Sequence, residues 1–225
     1  MTTVETYQGF HIGSETGLTE GQMRFLVSVF RQPPAAAASG PALGGRKEVL
    51  RTELEGIGPV VVKKYFRGGL VQNLLKQTYL NTGTTRCRAE YELLLSLHKS
   101  GVQVPEPVAF ATSGGLFYRA WLVTRAIGNA ITLAELAQAE PDRAAAALVQ
   151  AGKQAAALAG NHVHHVDLHP GNVLVDPRGR VYLVDFDKAR VTPENSGGLR
   201  QKYIRRWRRS VDKHRLPPFL RDLQI

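Results

Sequence analysis

Asp167, Asn172 and Asp185 are the residues whose types and spacing could do chemistry. Asp167 and Asn172 stand five apart in His165-Val166-Asp167-Leu168-His169-Pro170-Gly171-Asn172, and Asp185 follows Asp167 by eighteen residues, opening Asp185-Phe186-Asp187. Between them, apolar runs at 173–175 and 181–184 flank Asp176-Pro177-Arg178-Gly179-Arg180, which predicts a hairpin. A hairpin brings its two ends together, so the three side chains can converge. Phosphoryl transfer needs such a set: a carboxylate to accept a hydroxyl proton, and hard oxygen ligands for magnesium on the phosphates. Asp and Asn are also ordinary turn and capping residues, so turn chemistry is a competing account.

The elements that must position these residues are legible in outline. Residues 48–54 and 60–65 read as strands joined by Glu55-Gly56-Ile57-Gly58-Pro59, and 118–124 as another strand. Residues 85–99 turn helical, with Leu94 and Leu97 following Glu90 at i+4 and i+7, and Gly101 ends the run. The Ala-rich stretch 141–159 predicts a helix. Upstream, 24–30 is strand-like and the Pro/Ala/Gly stretch 33–41 reads as a loop. The chain has 225 residues, 43% apolar and 21% charged, enough for a real core. Its single cysteine, Cys87, excludes an intrachain disulfide and suits a reducing cytoplasm. Neither a signal peptide nor a membrane-spanning run is visible, so a cytoplasmic protein is expected. With 29 Lys and Arg against 19 Asp and Glu, the net charge of +10 points to anionic partners.

The loop and the residues after the hairpin resemble the kinase signature H-x-D-L-x-x-x-N followed by D-F-G. This resemblance implies an α+β, protein-kinase-like two-lobed fold. Its N-lobe would be a small antiparallel sheet with one key helix, and its C-lobe a reduced helical one. The expected division is an extension and loop over 1–39, an N-lobe over 40–124, and a C-lobe over 125–225 with a basic C-terminal helix. The resemblance makes Asp167 the catalytic base, Asn172 and Asp185 the magnesium ligands, and His165 a structural residue beneath Asp185. It also asks for a strand lysine on the ATP phosphates, oriented by a helix glutamate. Lys63 ends Val60-Val61-Val62-Lys63 and is chosen over Lys64, which strand alternation sends to the other face. Glu90 lies on an apolar helix face, where an unpaired carboxylate costs several kcal/mol, and is chosen over Glu92. Gly44 and Gly45 stand where a phosphate-cradling loop is expected. Thr124 and Ala126 are assigned to the adenine-holding hinge by order along the chain alone.

The decorations narrow the choice. The chain lacks A-P-E after Asp185, and Asp187 stands where protein kinases have glycine. Gly44-Gly45-Arg46, Lys63-Lys64-Tyr65-Phe66-Arg67-Gly68-Gly69-Leu70, Arg86-x-x-x-Glu90, Asp185-Phe186-Asp187-Lys188 and Arg208-Arg209-Ser210-Val211-Asp212-Lys213 together resemble the bacterial lipopolysaccharide core kinases. The resemblance is strongest to those acting on Kdo, 3-deoxy-D-manno-octulosonic acid. It implies ATP- and magnesium-dependent phosphorylation of a Kdo hydroxyl on a lipid A precursor, at the cytoplasmic face of the bacterial inner membrane. His169-Pro170-Gly171 departs from this pattern towards aminoglycoside phosphotransferases, leaving a soluble small-molecule kinase as an alternative. His169 becomes a candidate contact to the γ-phosphate or sugar, against a structural role.

Residues 200–215 carry eight basic side chains against one acidic, Asp212, which is most of the net charge. Leu199, Tyr203, Trp207 and Val211 recur every four residues, predicting a helix that docks by one stripe and shows arginines elsewhere. Arg205 and Arg208 are the candidates for contacting an acidic glycolipid or an anionic, peripherally bound membrane. Nucleic acid is not the expected partner, and the oligomeric state is left open. A non-catalytic polyanion-binding module on a kinase fold is the reading from another class.

Overall fold

A computed structural model describes residues 2–32, 49–65, 79–80, 85–115 and 117–225. Its contacts divide into two compact units.

The first unit is built on an antiparallel sheet. Strands β1 (Thr3–Tyr7) and β2 (Phe10–Ser14) form a hairpin across Gln8 and Gly9, both at positive φ (50° and 83°), as a tight two-residue turn requires. Helix α1 (Glu20–Arg31) follows, where the sequence suggested a strand at 24–30. Its buried residues include Met23, Leu26, Val27 and Phe30, spaced i, i+3, i+4, i+7. Thr19 and Gln22 close a capping box at its start. Aromatic and β-branched content suggested strand, but helical spacing and the cap prevail.

Strands β3 (Val49–Leu54) and β4 (Gly58–Lys64) form the expected hairpin, and β5 (Tyr79–Leu80) pairs with β7 (Phe117–Arg125). Helix α2 is Arg86–Lys99, and Gly101 beyond it takes φ +78°. Strand β6 (Pro107–Gly114) was not foreseen as a strand. The sheet order is β1-β2-β6-β7-β4-β3. Beneath it, Phe30 stacks on Trp121 at 5.0 Å between ring centroids, and Phe10 tilts onto Trp121 at 5.5 Å. Residues 2–32 are therefore part of this unit's sheet and core rather than an extension to it.

In the second unit, β8 (Ile131–Thr132), β10 (Val173–Val175) and β11 (Val181–Leu183) form a small antiparallel sheet. Helix α3 (Leu133–Ala139) starts on a capping box of Thr132 and Glu135. Helix α4 (Pro141–Gly160) buries a face of small residues, including Ala144, Ala151, Gly152 and Ala155. At Gly152 an added Cβ would lie 2.0 Å from the Gln224 backbone oxygen, so only glycine allows this approach. Strand β9 (Val163–His164) pairs with β12 (Arg190–Val191), and α5 (Ser196–Lys213) closes the unit. The stripe Leu199, Tyr203, Trp207 and Val211 is buried, as its four-residue spacing predicts.

Candidate active site

In the first unit, β4 and α2 bring together the lysine and glutamate that the sequence pointed to. Lys63 Nζ donates to both carboxylate oxygens of Glu90 at 2.8 Å, and Tyr65 Oη donates to Glu90 Oε2 at 2.5 Å. The Glu90 carboxylate is 4% exposed and the Lys63 side chain 14%, so the pair is largely removed from water. The hydrogen bonds satisfy the carboxylate and offset its desolvation. Tyr65 was overlooked, although it stands two residues past Lys63 and so shares its side of the extended chain. The rival Glu92 pairs instead with Arg88 at 2.7 Å, with both side chains nearly half exposed.

Strand β7 runs to Arg125, so Thr124, assigned to the hinge from order along the chain, lies inside the sheet in register with Val61 and Pro107. The Ala126 N–H donates to the Pro59 carbonyl at 2.9 Å. Gly44 and Gly45 lie outside the described residues.

In the second unit, the loop from 165 to 172 is locked by its own polar groups. His165 is 1% exposed. Its Nε2 lies 3.0 Å from the Val184 carbonyl, which can only accept, so the ring proton is on Nε2. The ring meets Phe186 edge-on at 4.6 Å, and burial holds the imidazole below its ordinary pKa and neutral. This is the packing role expected of His165. His169 is buried too, and its Nδ1 accepts from the Gly171 N–H at 3.1 Å. Burial drives its pKa down to about 4. His169 therefore caps the short 3-10 turn Pro170–Asn172 as a neutral ring.

Asn172 Nδ2 donates to the Asp167 carbonyl at 2.9 Å, which fixes the amide so that Oδ1 is its acceptor end. The Val184 N–H donates to the Asn172 carbonyl at 3.0 Å, tying the end of β11 to the loop. The next residue, Asp185, takes φ +70°, a left-handed conformation that Asp tolerates better than most residues. Asn172 and Asp185 thus offer hard oxygens of the kind magnesium takes, and the donor set fits that ion.

Asp167 and Arg206 meet. Arg206 Nη2 donates to Asp167 Oδ1, with the side chains 32% and 44% exposed respectively. Burial alone would raise the Asp167 carboxyl, but the Arg206 guanidinium outweighs it and holds the group below its ordinary range. Arg206 was not singled out from the sequence. It stands seven residues past Leu199, and seven residues return a helix almost to the same face. That phase puts it on the docking stripe, whereas Arg205 and Arg208 are exposed, Arg208 Nε donating to the Arg221 carbonyl at 3.3 Å.

Residues 44–218 match the lipopolysaccharide kinase (Kdo/WaaP) family, a span that includes Lys63, Glu90, Asp167, Asn172, Asp185 and Arg206. A protein of Vibrio parahaemolyticus named 3-deoxy-D-manno-octulosonic acid kinase is 36% identical over 158 residues, 69% of this chain and 65% of that protein. Similar proteins of the same name come from Photobacterium profundum, 42% identical over 135 residues (58% of this chain, 56% of the relative), and Stenotrophomonas maltophilia, 31% over 170 (74% and 67%). The chain spans a little under two thirds of the length of the Vibrio relatives, 65% and 66%. The α+β architecture of antiparallel sheets and helices agrees with the kinase-like fold that the loop motifs implied. The chain belongs to the lipopolysaccharide kinase (Kdo/WaaP) family.

Proposed function

We propose that the chain transfers the γ-phosphoryl group of ATP to a hydroxyl of Kdo on a lipid A precursor of lipopolysaccharide. The observation that carries this reading is Asp167: a carboxylate kept ionised by Arg206, on a loop whose Asn172 amide and adjoining Asp185 offer hard oxygens. The acceptor oxygen bonds to the γ-phosphorus, the bond from that phosphorus to the departing ADP oxygen breaks, and the hydroxyl proton passes to Asp167 Oδ2. A depressed pKa suits this role, because in a loose transition state the proton moves late and a weak, well-placed base suffices. Lys63, fixed by Glu90 and Tyr65, takes the nucleotide phosphates, with Gly44, Gly45 and the carbonyl side of 124–126 as further nucleotide contacts. Asn172 and Asp185 would hold magnesium, which when bound neutralises phosphate charge. His165 and His169 keep the loop in shape.

The outer face of α5 supports an anionic surface as partner. Arg200, Arg205, Arg209 and Lys213 are exposed and form no ion pair among the described residues. Each such charge contributes about 1 kcal/mol beside anionic lipid. No helix among the described residues is long and apolar enough to cross a membrane. Peripheral attachment to the cytoplasmic face of the inner membrane follows as the proposed location.

The test is label transfer from γ-labelled ATP, with magnesium, to Kdo-bearing lipid A precursor, Kdo-free lipid A and an aminoglycoside. Label on the Kdo-bearing lipid alone is expected. Label on the aminoglycoside alone would replace this reading with a drug kinase.

A further inference from the structure

Among the described residues, Arg206 is the basic side chain of α5 that reaches the loop carrying Asp167. Its guanidinium uses one nitrogen, Nη2, on Asp167, while Nε and Nη1 have no partner among the described residues. A guanidinium holds five N–H donors in a planar fork, so a second anion can be bound beside the first. The flanking residues keep it in place. Tyr203 Oη donates to the Val163 carbonyl, and Trp207 Nε1 donates to the Leu220 carbonyl at 2.6 Å. The loop supplies no competing cation, because the His169 ring is buried and accepts from Gly171.

The substrate class named for the relatives is a sugar acid, which carries its own carboxylate among its hydroxyls. We infer that Arg206 recognises the acceptor's carboxylate through the guanidinium N–H donors that Asp167 leaves free, while the Nη2 bond keeps Asp167 aimed at the hydroxyl to be phosphorylated. Arg206 is then the specificity-determining residue for an acidic acceptor. The inference rests on the proposed function and names the group by which that acceptor is recognised.

The experiment compares kcat/KM for Kdo-bearing lipid A precursor with that for its carboxamide analogue, which keeps shape and removes charge. It is run with wild type, Arg206→Gln and Arg206→Lys. Charge-assisted hydrogen bonds predict that wild type prefers the acid by about 10- to 100-fold, chiefly through KM. In Arg206→Gln the preference should fall to within about 3-fold of unity, with Arg206→Lys intermediate. The ratio of two substrates on one protein is unaffected by any misfolded fraction. A preference unchanged in Arg206→Gln, or equal loss on both acceptors, would overturn the inference while leaving the kinase function intact. No transfer by wild type to either acceptor would instead overturn the function, and the inference with it.

Discussion

Replacing Lys63 by Met tests the buried pair from which nucleotide binding is argued. Met keeps most of the side-chain volume but leaves the Glu90 carboxylate, 4% exposed, with Tyr65 as its remaining donor of the three bonds described. Removing one partner of a buried ion pair costs about 3–5 kcal/mol. The Lys63 side chain is 14% exposed and the Tyr65 bond survives, so the lower end, about 3 kcal/mol, is expected. For a chain of this length, that corresponds to a fall in Tm of about 6–12 °C. Urea denaturation followed by circular dichroism gives the number directly. Adding Glu90→Gln should recover about 2 kcal/mol, because the amide still accepts from Tyr65 and no charge stays buried alone. Both variants should have lost phosphoryl transfer, separating stability from chemistry. A Lys63→Met protein within 0.5 kcal/mol of wild type, or a double variant less stable than the single by a full additive increment, would refute the description of Glu90 as a desolvated, satisfied carboxylate.

Three further outcomes follow from other parts of the molecule. His169 has a folded pKa lowered by burial to about 4 from an ordinary 6.5, so the unfolded chain binds the extra proton between those values. Stability should therefore fall as pH drops through that window, by about 2 kcal/mol after solvent screening. His169→Asn should make an acid denaturation series shallower, with His165 still contributing in the same direction. Gly152→Ala should destabilise by about 1–3 kcal/mol despite alanine's helix preference, because the new methyl meets the Gln224 backbone; a stabilised variant in thermal melts would contradict that packing. Neutralising Arg205, Arg209 and Lys213 should weaken binding to anionic vesicles by roughly 3 kcal/mol at low salt and flatten its salt dependence, and unchanged co-sedimentation would leave α5 a structural helix.

The site was legible where chemistry-bearing residues lie close along the chain. Asp167, Asn172 and Asp185 flank one hairpin, and the bond between Val184 N–H and the Asn172 carbonyl is the closure that such a hairpin makes. Glu90 was legible for a different reason: a carboxylate on an apolar face demands a partner, and Lys63 is that partner. Arg206 was not, because eight basic residues in one stretch look alike until their helical phase is set against Leu199 and Tyr203. Helix α1 was mistaken for a strand because Phe25, Val27, Val29 and Phe30 have strand-like side chains, while the deciding signals were Thr19 and Gln22 outside the apolar run. The β1–β2 hairpin hides for a related reason. Strand β1 is largely exposed and polar, so no apolar pattern marks it, and its register depends on the Gln8-Gly9 turn. Thr124 shows the limit of arguing from order along the chain, since β7 continues one residue past it.

The most direct measurement is single-turnover transfer of labelled phosphate to Kdo-bearing lipid A precursor by wild type and Asp167→Asn, with magnesium-ATP binding measured on both. Asparagine preserves the side chain's shape and removes the proton acceptor, so transfer should fall by at least about 100-fold while nucleotide affinity stays within about 3-fold. Full transfer by Asp167→Asn would contradict the assignment of the base. Loss of nucleotide binding together with transfer would contradict the separation of roles between Asp167 and the nucleotide-holding residues.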